Sequence, residues 1–173
     1  MMTRQISTAL PIFLIIYVIQ EAVLNQFRLP GGGFSLLLIF TLVWAVLSSP
    51  EIAAFSGFTA GLLMDLSGSS SGPIGQWTLL MVAACYAVSY FGSGNESLYG
   101  NPLGFTLFTT SAVFFIELAY VVTGALLGVQ SGSFAQILIT ICGISLWSLV
   151  TTPIFLPVFS RLHALVFNMR SAI

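Results

Sequence analysis

The sequence contains no lysine, and its formal charges are limited to four arginines and five carboxylates. Charged residues make up 5% of the 173 residues, whereas a soluble domain carries about a quarter. So little positive charge excludes the basic surface that nucleic-acid binding requires. The chain is instead 57% hydrophobic, with a mean hydropathy of +1.04. This composition indicates an integral membrane protein.

Residues that carry catalysis or bind metals are also scarce. The one histidine, His163, has no second histidine, cysteine or carboxylate at ligand spacing, and we expect it to be a solvated residue of the C-terminal tail. Cys85 and Cys142 lie within apolar runs and are interpreted as free buried thiols. No phosphate-binding loop or serine-nucleophile motif is present. We therefore predict no enzyme activity, no catalytic residue, no metal and no cofactor.

The apolar residues form six segments, and about 20 residues are needed to cross a hydrocarbon layer of about 30 Å. The segments are continuous rather than alternating, which favours helices over a barrel. We predict an all-α integral membrane protein with one domain, residues 1–173, built as a six-helix transmembrane bundle. The predicted spans are 6–27, 34–47, 50–66, 75–91, 103–128 and 134–159. The tail beyond them is predicted to be either a helical extension or an interfacial helix.

The arginines predict the orientation of this bundle. An even number of spans places both termini on one side, together with Arg4, Arg161 and Arg170, whereas Arg28 falls on the other. Because positive residues are enriched in cytoplasmic segments, this distribution favours cytoplasmic termini.

Three acids lie inside apolar spans at a similar depth. Glu21, Asp65 and Glu117 follow the starts of the first, third and fifth predicted spans by 15, 15 and 14 residues. A rise of 1.5 Å per residue places all three about 21–23 Å from the inner surface. One interpretation is a polar layer or cavity that opens to the outside. The alternative is three unrelated acids, each protonated or hydrogen-bonded to a nearby hydroxyl group.

Arg28 is the cation nearest to these acids in the sequence. Glu21, Asn25 and Arg28 are spaced i, i+4, i+7 and share one face of the first helix. Arg28 is interpreted either as an internal counter-ion in the polar layer or as part of a frayed helix end at the headgroups.

Gly57 and Gly61 form a small-xxx-small pattern on the third predicted helix. Such a face lets another helix approach closely. The approaching helix is expected to belong either to the same chain or to a partner protein.

The stretch from Ser49 to Phe91 resembles the MreD family of rod shape-determining membrane proteins. The resemblance is carried by Gly57-x-x-x-Gly61-Leu62-Leu63-Met64-Asp65-Leu66, a Ser/Gly connection, and Pro73-Ile74-Gly75 before the next helix. Chain length, the six-span layout, Trp147 and Pro153 in the final helix, and the acid at Glu117 also match. The resemblance implies that Gly57, Gly61, Asp65 and Gly75 serve packing or interaction.

The resemblance also implies a function. MreD-like proteins are non-enzymatic scaffold subunits of the bacterial cell-elongation machinery, located in the cytoplasmic membrane among its lipids. Their partners are MreC, the glycosyltransferase RodA, a class B penicillin-binding transpeptidase and the MreB filament.

The family is similar in fold to the substrate-binding subunits of energy-coupling-factor vitamin transporters, which supplies the alternative function. A dedicated ligand pocket is expected to bring a few aromatic residues together with polar groups. The polar residues that the sequence offers for such a pocket are mainly acids, which favours the scaffold function.

Overall fold

A computed structural model describes residues 2–26, 30–67, 72–93, 101–129 and 132–168. These ranges contain six α-helices and no strand, so the prediction of an all-helical chain is confirmed. The helices are α1 (Met2–Ala22), α2 (Leu36–Val46), α3 (Pro50–Asp65), α4 (Gln76–Ser93), α5 (Pro102–Leu126) and α6 (Phe134–Asn168). Short 3-10 turns, Leu24–Gln26 and Pro30–Gly32, lie between α1 and α2.

Three stretches of the described chain are long and apolar enough to cross a membrane. They are Ala9–Gln26, Pro102–Leu126 and Phe134–Phe167. The second predicted span is helical only over the 11 residues of α2, which rise about 16 Å. The sixth predicted span continues as helix to Asn168, through Pro153 and Pro157. The described part of the tail is therefore an extension of α6.

The short helix α2 forms the core of the bundle. All 11 of its residues are buried, and α1, α3, α4, α5 and α6 all contact it. A helix that is apolar on every side has no face suited to water, so it is buried most favourably at the centre. Ser35 caps its start by accepting a hydrogen bond from the Leu38 N–H at 3.2 Å.

His163 does not lie in solvent as the sequence predicted. It is half-buried, stacks on Phe167 with ring centroids 4.3 Å apart, and meets Trp44 edge-on at 4.9 Å. Its Nε2 lies 3.0 Å from the Ser48 hydroxyl oxygen, within hydrogen-bonding distance. The prediction was wrong because α6 continues past its prolines and carries His163 over the end of α2.

Replacing His163 by alanine is expected to lower the free energy of unfolding by about 1–3 kcal/mol, because the variant loses a hydrogen bond and an aromatic contact. His163→Phe should lose less, since the stacking surface remains. Thermal unfolding of the detergent-solubilised protein measures both. Arg161→Ala, on an exposed neighbour, is the control. An equal, negligible change in all three variants would contradict this role of His163.

Candidate functional site

The helical hairpin formed by α3 and α4 contains the glycine motif. Gly57 and Gly61 are buried on the face of α3 that packs on α4. A Cβ on Gly61 would lie 2.5 Å from the Thr78 Cα and 2.8 Å from the Trp77 carbonyl oxygen, and one on Gly57 would clash with the Met81 carbonyl group. The glycine face is therefore occupied by a helix of the same chain.

Asp65, the last residue of α3, binds the start of α4. Its carboxylate accepts hydrogen bonds from the backbone N–H groups of Trp77 and Thr78, each at 3.0 Å, and from the Thr78 hydroxyl at 2.5 Å. These N–H groups belong to the first turn of α4, where no earlier carbonyl oxygen of the helix can pair with them. Asp65 thus caps α4 from a separate helix, where a negative charge also complements the helix dipole.

Gly75 lies in the turn that leads into α4. Its φ of +96° falls in the left-handed region that favours glycine, and a Cβ there would have no atom of the described residues within 4 Å. Gly75 therefore serves the backbone path of the turn rather than close packing.

A cavity of about 380 Å³ lies at the same end of the bundle; we call it the polar cavity. It is bounded by the ends of α1 and α3, the starts of α4 and α6, and the later part of α5. Its polar lining residues include Gln20, Glu21, Asn25, Ser67, Glu117 and Thr140.

Two of the three predicted acids meet at this cavity. Glu21 and Glu117 both line it, whereas Asp65 is turned to α4 and does not. Glu21 Oε1 accepts a hydrogen bond from the Ser67 hydroxyl at 2.5 Å. Arg28, the predicted counter-ion, lies outside the described residues, and that hypothesis stays a prediction.

Gln20, which the sequence analysis did not single out, joins the cavity wall to the core. Its Oε1 accepts hydrogen bonds from the Leu37 N–H at 2.8 Å and the Ser35 hydroxyl at 3.1 Å, at the start of α2. The cue available in the sequence was its position beside Glu21 within an apolar run.

Four aromatic residues in the described part of the chain also line the polar cavity: Tyr17, Phe34, Trp77 and Tyr120. Trp77 and Tyr120 are stacked, with ring centroids 4.3 Å apart and planes inclined by 19°. The sequence analysis, which noted mainly acids among the polar residues, did not predict this convergence of aromatic residues with the acids. The four rings come from separate parts of the chain, so no local pattern reveals their convergence.

A second concave surface, which we call the α4–α5 groove, has a volume of about 540 Å³. Small residues form much of it: Ala83, Ala84 and Ala87 on α4, and Ser111, Ala112 and Ala119 on α5. Phe91, Phe108 and Phe115 flank them. Apart from the Ser111 hydroxyl, the side chains that line it are apolar among the residues described.

The described residues contain no group of three or more histidine, cysteine or acidic side chains that could hold a metal ion. The carboxylates at the polar cavity are thus a pair without a third ligand of that kind among the described residues.

No protein-family model, no curated protein and no solved structure matches this chain.

Proposed function

We propose that this chain is a non-enzymatic scaffold subunit of the bacterial cell-elongation machinery, of the MreD type. Its helices would form one bundle in the cytoplasmic membrane with both termini in the cytoplasm. Its partners would be MreC, RodA, a class B penicillin-binding transpeptidase and the MreB filament.

The observation that carries the proposal is the way the motif residues act together in the α3–α4 hairpin. Gly57 and Gly61 allow the two helices to touch, and Asp65 caps the helix that they touch. The MreD-like pattern therefore corresponds to one structural unit rather than to scattered matches. This coherence supports the resemblance on which the proposed function is based.

The α4–α5 groove is the surface on which a partner helix would pack under the scaffold proposal. In a bilayer, helices associate through close van der Waals packing, and small residues at the contact allow it. The alanines of the groove provide such a surface between two helices of the bundle. We propose that the transmembrane helix of MreC lies in this groove.

Affinity-tagged protein should recover an MreC-like protein from solubilised bacterial membranes. Ser111 is exposed within the groove, so Ser111→Trp should fill it without disturbing the core. We expect recovery of MreC to fall by about tenfold or more, which corresponds to a loss of about 1.4 kcal/mol.

The matched control is Ala125→Trp, an exposed position on α5 outside the groove. Its recovery of MreC should equal that of the unmodified protein. No recovery of MreC by the unmodified protein would overturn the scaffold proposal. Equal recovery by both tryptophan variants would overturn the placement in the groove.

The second candidate function is the substrate-binding subunit of a small-solute transporter. It is favoured by the polar cavity, in which two carboxylates and four aromatic side chains of the described residues line one space. Ligand pockets commonly combine such apolar walls with a few polar groups. Recovery of a transporter energising module, rather than MreC, with the tagged protein would favour this candidate.

A further inference from the structure

We infer that the polar cavity is a binding site for a small organic cation, bound through an ammonium or aromatic cationic group. The inference uses the cavity alone and goes beyond the scaffold proposal, because a scaffold can retain such a site without transporting its ligand.

The lining of the polar cavity carries acids whose charge no described side chain balances. Glu21 and Glu117 both border the cavity, and no arginine with a described side chain does. Arg161, the arginine whose side chain is described, is exposed on the distant part of α6. Carboxylates enclosed in a protein are stable as anions only when a positive charge or several hydrogen bonds compensate for lost water. A bound cation supplies that charge.

Glu117 differs from Glu21 in its hydrogen bonding. Its side chain is half-buried and borders the polar cavity, and it accepts no hydrogen bond from any residue that the structure describes. Glu21, by contrast, has the Ser67 hydroxyl as a donor. Glu117 therefore offers an unused acceptor on the cavity wall.

Aromatic rings form part of the wall of the polar cavity. Tyr17, Phe34 and the stacked pair of Trp77 and Tyr120 border the same space as the acids. The face of an aromatic ring attracts a cation, most strongly when water is excluded. Carboxylates and ring faces together favour a group that is positively charged and partly apolar over a hydrated metal ion.

The size of the cavity limits the ligand. Its volume of about 380 Å³ lies near the lower end of the range for small-molecule pockets, about 300–1,000 Å³. The ligand is either a free organic amine or the ammonium headgroup of a lipid such as phosphatidylethanolamine. Both sources present the same chemistry to the acids and rings.

The test uses 1-methylnicotinamide, a flat cation that quenches tryptophan fluorescence on contact, and neutral nicotinamide as its uncharged counterpart. The full-length protein is placed in phosphatidylglycerol nanodiscs, which contain no amine headgroup. We expect saturable quenching by the cation and binding of nicotinamide that is weaker by about tenfold or more, since the charge interaction is lost. Trp77→Phe should remove the saturable component of the fluorescence quenching, because Trp77 is the tryptophan that lines the described cavity.

Charge-removing variants locate the site. Glu117→Gln and Glu21→Gln keep the side-chain size, and each should weaken binding of the cation by about tenfold. Glu51→Gln, at the exposed start of α3, is the control and should bind normally. Each variant is also checked for its elution volume and for a thermal shift on adding the cation. A variant that elutes normally but shows no thermal shift has lost binding and not folding.

The lipid composition identifies the source of the cation. Weaker apparent binding of the probe after phosphatidylethanolamine is added to the discs supports a headgroup ligand, and unchanged binding supports a free amine. Equal affinity for the charged and neutral probes, or normal binding in Glu117→Gln and Glu21→Gln, would overturn the inference. Binding that occurs only in Arg28→Gln would also overturn it, because the cation of the cavity would then be the protein's own Arg28.

Discussion

Gly61→Leu is expected to prevent α3 from packing on α4 and to abolish the folded bundle. The added Cβ alone would lie 2.5 Å from the backbone Cα of Thr78, and backbone cannot rotate away as a flexible side chain can. Overpacking a close contact costs about 1–3 kcal/mol and sometimes more. A leucine adds further atoms along a helix pair that includes both Gly57 and Gly61, so the loss should exceed that range.

Thermal unfolding and size-exclusion chromatography of the purified protein measure this effect. Gly61→Ala should already lower the unfolding temperature. Gly104→Ala is the control, because the atoms nearest to its Cβ would be those of the Asn101 side chain, at an ordinary 3.7 Å. That control should be neutral or slightly stabilising, by up to about 1 kcal/mol. Under the scaffold proposal, cells that depend on Gly61→Leu should lose their rod shape. A monodisperse variant with an unchanged unfolding temperature would contradict the close approach of the helices.

Asp65→Asn is expected to cost about 2–3 kcal/mol, although it preserves the size of the side chain. Both carboxylate oxygens accept hydrogen bonds from α4. An asparagine amide has one acceptor oxygen, so its NH₂ group must face a donor of Trp77 or Thr78. The start of α4 would then retain at least one buried donor without a partner.

A series of variants separates the parts of this contact. Asp65→Leu should be more destabilising than Asp65→Asn, since it removes every acceptor. Thr78→Val should cost less than either, because it removes only the hydroxyl donor. Glu51→Gln, an exposed acid in the first turn of α3, should change the free energy of unfolding by about 1 kcal/mol or less. Equal unfolding temperatures for Asp65→Asn and the unmodified protein would contradict the capping role.

The local pattern of the sequence was sufficient for the helical class and for most boundaries of the described helices. Continuous apolar runs specify helices, and the third predicted span, 50–66, begins at Pro50 as α3 does, because proline suits the first position of a helix. Local chemistry also identified Gly57, Gly61, Asp65, Glu21 and Glu117 as unusual residues in an apolar chain. These inferences succeed because helix formation and the cost of burying charge depend on neighbours in the sequence.

Only the tertiary structure decided what those residues contact. On one of the two interpretations of their common depth, the three acids line one layer or cavity. In the structure Asp65 faces the start of α4, whereas Glu21 and Glu117 border the polar cavity. Depth along a helix follows from counting residues, but direction around its axis depends on how neighbouring helices pack. The pairing of Trp77 with Tyr120 and the burial of His163 against α2 have the same origin. Each joins residues far apart in the chain, so packing between helices, and not local sequence, determines it.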